Sequence, residues 1–179
     1  MIFTPVPLRG AFVLEPELVE DQRGFFARTF CAEEFAEHGL DTNFVQCSTS
    51  FNKRKDTLRG MHFQVPPRAE TKLIRCTKGA IFDVMIDLRA DRETYCRWFA
   101  TELTETNRLM HYIPKGFAHG FQTLEDDTEV AYQMSEYYSI EHSRGVRWDD
   151  PVFAIEWPPV SGRVISEKDL GYDEFVREM

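Results

Sequence analysis

Between Gly79 and Arg89 the chain alternates, with Phe82, Val84, Ile86 and Leu88 on one side and Asp83, Met85, Asp87 and Arg89 on the other. A repeat of two puts successive side chains on opposite faces of a strand. Shorter stretches at 44–51, 58–64, 71–77, 97–103, 109–114 and 128–138 also read as strands, separated by turn residues. Residues 32–38 (AEEFAEH) predict a short helix that Gly39 closes. Ser166, three residues before Asp169, predicts the start of a last helix through a spacing that resembles a capping box. Many short strands without alternating helices predict an all-β antiparallel sandwich, jelly roll or barrel.

With 179 residues and no repeat, low-complexity tract or linker, one domain over 1–179 is expected. A composition of 42% hydrophobic and 28% charged residues excludes long disorder, and fifteen Phe, six Tyr and three Trp favour strands. Pro5 and Pro7 interrupt the first apolar stretch and no run of eighteen apolar residues follows, so no secretory signal or membrane span is expected and a cytoplasmic location is. Cys31, Cys47, Cys76 and Cys96 form no C-x-x-C pair and are expected to be reduced thiols.

A net charge of −9 argues against a nucleic-acid-binding surface. The charge is uneven, however. From Lys53 to Lys78 there are eight Lys or Arg against two acids, Asp56 and Glu70. Such a local cationic site in an acidic protein suits a small anionic ligand such as a phosphate ester.

Two histidine segments stand out, Leu58-Arg-Gly-Met-His-Phe-Gln64 and Ile113-Pro-Lys-Gly-Phe-Ala-His-Gly-Phe-Gln122. The second contains Pro114-x-Gly116-x-x-His119, the spacing of the second motif of cupin barrels. Metal-binding cupins draw an H-x-H pair and a Glu from a partner segment, and the comparable stretch after Gly79 has no histidine. A metal cage therefore lacks ligands, and neither a metal nor another cofactor is expected.

DQRGFF near residue 21 and then VQCSTSFN, TLRGMHFQVPP, KLIRCTKGAIFDVMIDLR, YIPKGFAHGFQTL, EVAYQMSEYY, GVRWDDPVFAIEWP and SEKD occur in that order. Together they resemble the dTDP-4-dehydrorhamnose 3,5-epimerase family, metal-free cupin-like jelly rolls. The resemblance implies inversion of C3 and C5 of a nucleotide-linked 4-keto-6-deoxyhexose. It also implies a homodimer with an exchanged amino-terminal strand, so that the Arg23 region serves the neighbouring site.

Inversion next to a ketone needs a base, a stabiliser for the enolate oxygen and an acid on the opposite face. By the resemblance, His62 is the base, a choice that also suits imidazole's neutral pKa. Asp169 is its partner, ahead of the alternative that an Asp at this spacing from Ser166 simply caps a helix. Lys72 matches the cation near the C4 oxygen, and Tyr132 the proton donor, whose alternative is a core tyrosine facing with Val130 and Met134. Arg59 and His119 match substrate contacts. Strand parity puts Arg59 and His62 on opposite faces, so both reach one pocket only if the strand is bulged near Gly60.

Arg23, Gln46 and Lys168 match contacts to the nucleotide part of the substrate, and Tyr138 the aromatic that stacks on the base. The chain departs from the family pattern at Arg28, Ser48 and Ser143, in place of the usual Glu, Asn and Glu. Ser48 still falls at a substrate-binding position, and weaker selectivity for thymidine is expected. The alternatives are an epimerase acting at one carbon, the related 3,4-ketoisomerase type, and a sugar-nucleotide binding module. A binding module needs no base and acid on opposite faces.

Overall fold

The computed structural model describes residues 1–177, so the last two residues of the expected 1–179 domain lie outside the described ones. Thirteen strands and two short helices occur in the order β1 (Ile2–Pro5), β2 (Phe12–Glu15), β3 (Leu18–Asp21), β4 (Gly24–Ala27), α1 (Ala32–Glu37), β5 (Gln46–Asn52), β6 (Leu58–Gln64), β7 (Lys72–Lys78), β8 (Ala80–Asp87), β9 (Trp98–Thr104), β10 (Met110–Ile113), β11 (Phe117–Thr123), β12 (Thr128–Met134), β13 (Ser143–Gly145) and α2 (Glu167–Leu170). A six-stranded sheet runs β1-β2-β10-β7-β12-β5, and a five-stranded sheet runs β13-β6-β11-β8-β9. Strands β3 and β4 form a separate hairpin, and the ladders are antiparallel. This is the expected all-β, cupin-like jelly roll.

The two sheets pack face to face, and alternate side chains fill the space between them. Ile74 and Cys76 of β7 and Val130 of β12 meet Ile81 and Met85 of β8, Leu103 of β9 and Phe121 of β11. The opposite face of β8 is buried too, because Val84 and Ile86 pack with Val146, Phe153, Trp157 and Phe175. Aromatic side chains of the amino-terminal region gather with α1 beyond the six-stranded sheet, where Phe35 meets Phe3, Phe30, Phe44 and Tyr112. These clusters satisfy the aromatic composition.

Element ends differ from the sequence expectation where ladder partners run out. The stretch 128–138 stops as a strand at Met134, whose partners Gln46 and Lys72 begin β5 and β7. Strand β11 has no visible alternation because every residue in it is buried, as expected for a strand covered on both faces. The four strands before α1 are short, and β3 and β4 are mostly exposed, so the sequence marks them poorly.

Candidate active site

A cleft of about 320 Å³ opens between the two sheets, lined from one side by Ser48, Ser50, Lys72, Tyr132 and Met134 and from the other by Arg59, His62, Gln64, His119 and Phe121. Thr49, Phe63, Glu70, Tyr138, Ser143 and Lys168 also line it. The alternation of β7 that buries Ile74 and Cys76 also points Lys72 inward, and the alternation of β12 does the same for Tyr132 beyond Val130.

Arg59 and His62 share the cleft although they are three residues apart on β6. The register between β6 and β11 shifts between His119 and Phe121, and Gly60 there has a φ of 129°. A glycine is required because a Cβ at Gly60 would lie 2.5 Å from the Gly120 backbone. This is the irregularity that strand parity demands.

Asp169 comes to His62 from α2. Its Oδ1 is 2.7 Å from His62 Nε2, and its Oδ2 accepts the Gly60 N–H at 3.2 Å. Ser166 caps α2 by accepting the backbone N–H of Asp169 at 3.1 Å, so capping uses the backbone and leaves the carboxylate to His62. The two roles weighed for Asp169 are thus carried by different atoms. Burial alone would raise its pKa, but the His62 contact and the Gly60 hydrogen bond hold it below the ordinary carboxylate range.

Lys72 is buried rather than on the surface. Its Nζ donates to the His62 carbonyl at 3.1 Å and pairs with Glu70 at 3.0 Å. Burial pushes the Tyr132 phenol above its ordinary pKa, with the nearby Asp83 charge adding to the effect, so it stays protonated at neutral pH. Arg59 donates through Nε to Asn52 Oδ1 at 2.7 Å, which steadies an otherwise exposed guanidinium. His119 is buried and bonded to Asp83 at 2.7 Å. Among the described residues no group of three or more His, Cys, Asp or Glu is arranged to hold a metal ion.

A family profile described as dTDP-4-dehydrorhamnose 3,5-epimerase matches residues 5–176. The chain belongs to the dTDP-4-dehydrorhamnose 3,5-epimerase family. The enzyme of that name from Methanothermobacter thermautotrophicus is 44% identical over 172 residues, covering 95% of this chain and 92% of that one. The Bacillus anthracis enzyme, solved with TDP and PPi bound, superposes with a TM-score of 0.93 at 40% identity over 97% of this chain and 99% of its own. A Legionella pneumophila 3,5-epimerase, solved with dTDP-4-keto-L-rhamnose, gives 0.91 at 33% identity over 97% of this chain and 92% of its own.

Most of the residues expected from the epimerase resemblance line this one cleft; Asp169, Gln46 and Arg23 do not, and Asp169 reaches it only through His62. Gln46 does not line it and acts at one remove, its Oε1 accepting the Tyr138 N–H at 2.7 Å. Arg23 sits in the turn between β3 and β4, 89% exposed and paired with Asp21, away from the cleft of its own chain. Arg28 is likewise remote and pairs with Glu34 at 3.1 Å. Sequence reasoning missed Glu70, Asn52, His111 and Asp83. An acid flanked by apolar residues in the middle of β8 was the available signal for Asp83.

Proposed function

We propose that the chain inverts C3 and C5 of dTDP-4-dehydro-6-deoxy-D-glucose to give dTDP-4-dehydro-L-rhamnose, by proton removal and return through an enolate. The observation that carries this reading is the placing of His62 and Tyr132 on facing sheets across one cleft. His62, oriented by Asp169, removes the proton beside the ketone, and the carboxylate stabilises the imidazolium that forms. Lys72 stabilises negative charge as it develops on the C4 oxygen. Tyr132, kept protonated by burial, returns a proton from the other side. Repeating the cycle at the second carbon gives the double inversion.

Arg59 is placed to hold the diphosphate, and the exposed Tyr138 ring at the rim offers a stacking surface for the base. Ser48 and Ser143 line the cleft with no charge of their own, which supports relaxed selectivity for thymidine. The match of the family profile over residues 5–176 supports reading the chain as one domain. Four unpaired cysteines suit a reducing compartment, and we place the enzyme in the cytoplasm.

The proposed assembly is a homodimer with an exchanged amino-terminal strand. The β3–β4 hairpin supports it, for it carries Val19 at 68% and Phe26 at 74% exposure, apolar surface that a second copy would cover. The same exchange takes Arg23 to the neighbouring cleft.

Incubation with dTDP-4-keto-6-deoxyglucose in deuterated water tests the reaction. Label at both C3 and C5 of epimerised product is expected. Label at one carbon assigns a single-position epimerase, and no label removes the enzymatic reading.

A further inference from the structure

Asp83 lies in the middle of β8 with no exposed surface, and its two oxygens meet two histidines from two other strands. Oδ1 is 2.7 Å from Nδ1 of His111 on β10, and Oδ2 is 2.7 Å from Nε2 of His119 on β11. An ionised carboxylate only accepts, so both facing ring nitrogens carry hydrogen. Burial alone would raise Asp83, but its contacts with His119 and His111 hold its pKa below the ordinary range. His111 is what allows this charge in the interior, because without it Oδ1 would be left unpaired. Among the described residues Nε2 of His111 is itself buried without a partner, and its ring lies against Phe99, so His111 does not face the cleft.

His119 is left with one nitrogen to offer. Nδ1 has no hydrogen bond among the described residues, and the ring lines the cleft, where it stands opposite His62 in the ladder between β11 and β6. The charged and titratable groups around the ring are Asp83 on β8, His111 on β10, Lys72 on β7, His62 on β6 and Tyr132 on β12. Burial lowers the His119 pKa below the ordinary value and outweighs the pull of Asp83, while Lys72 and His111 lower it further. The ring is therefore neutral at pH 7, with a lone pair on Nδ1.

We infer that Asp83 and His111 are positioning residues that fix the His119 tautomer, so that Nδ1 accepts a hydrogen bond from a ring hydroxyl of the sugar. The inference rests on the sugar-nucleotide reading above and narrows it. The ketone oxygen and the diphosphate are acceptors and suit Lys72 and Arg59. A neutral ring whose only hydrogen is given to Asp83 cannot donate to either, and pairs only with a donor. Opposite the base, the donors a 4-keto-6-deoxyhexose presents are its hydroxyls.

Imidazole ¹⁵N correlation spectra of the intact protein test this, with His119→Asn identifying the resonance. His119 is expected in the neutral form with hydrogen on Nε2 at pH 7. Hydrogen on Nδ1, or a charged ring, overturns the inference. Adding sugar nucleotide should shift Nδ1, and adding thymidine diphosphate, which lacks the hexose, should not; equal shifts, or no shift with the sugar nucleotide bound, overturn it. Asp83→Asn should lose the single Nε2–H form and raise KM for the sugar nucleotide about tenfold, the size of one hydrogen bond, with thymidine diphosphate affinity unchanged. Equal losses for both ligands, or no loss, count against it. If that variant does not fold, the spectra of the unaltered protein decide. Failure of the sugar nucleotide to bind at all refutes the proposed reaction and leaves the tautomer result standing.

Discussion

His62 and His119 are partners in the ladder between β6 and β11, yet their Nε2 atoms are tied to different carboxylates, Asp169 and Asp83, each at 2.7 Å. The difference lies in exposure. His62 is 38% exposed through its side chain and backed by a carboxylate that is 5% exposed, so its ring faces the open cleft while Asp169 lies behind it. His119 is 5% exposed and tied to a carboxylate with no exposure, which keeps its hydrogen in place.

The separation of the proposed base, His62, and the proposed acid, Tyr132, between two sheets makes exchange and inversion distinguishable. In deuterated water Tyr132→Phe should still wash label into at least one carbon beside the ketone, because His62 can remove and return a proton on one side. Epimerised product should fall on the order of 10²-fold or more, the usual scale for loss of a general acid. His62→Ala should lose exchange and inversion together. Normal inversion by Tyr132→Phe removes the assignment and makes Tyr138 the next donor to test.

Asp169→Asn keeps the backbone N–H that Ser166 caps and one oxygen to accept from Gly60. What it removes is the negative charge beside His62. Turnover is expected to fall on the order of 10²-fold or more, with thymidine diphosphate affinity and melting temperature close to those of the unaltered protein. Near-normal turnover would return Asp169 to a purely structural role.

Arg23 gives a test of assembly. If it serves the neighbouring site, Arg23→Ala and His62→Ala should each be impaired alone. Mixed after reversible dissociation, they should regain activity, since a mixed dimer contains one site with both residues intact. Random pairing restores about a quarter of all sites. No recovery on mixing refutes the exchange.

Acid should destabilise the fold in two stages. An unfolded histidine takes up a proton from about pH 6.5 downward, while His119 in the folded state resists it, so stability falls as pH drops below that value. Asp83 and Asp169 have depressed folded pKa values, so the unfolded chain protonates there first, from about pH 3.9 downward, and a steeper loss follows. Thermal melts at closely spaced pH values should show a gentle decline and then a steep one. His119→Asn should flatten the upper stage, and a melting temperature that rises on acidification contradicts the assignment.

The sequence displayed what is local. The alternation around Val84 located β8, Ser166 located α2, and the parity conflict between Arg59 and His62 located the bulge at Gly60. The pairing of His62 with Asp169, separated by 107 residues, came from family resemblance because spacing of that length carries no geometric signal. Asp83 escaped notice for a different reason. Its strand faces inward at a place where the interior is partly polar, and alternation alone does not say which face meets the core. Lys72 shows the same limit, since a lysine in a basic stretch reads as solvated until the ladder turns it toward Glu70.

The Gly60 N–H donates to Asp169 Oδ2 while the other oxygen of that carboxylate holds His62. One backbone hydrogen is thereby bound to the proposed catalytic pair, with no side chain of its own in the chemistry. Its exchange with solvent deuterons reports opening of the pair directly. An amide that exchanges faster when α2 lifts makes Gly60 a built-in gauge of how often the site stands assembled, readable without substrate.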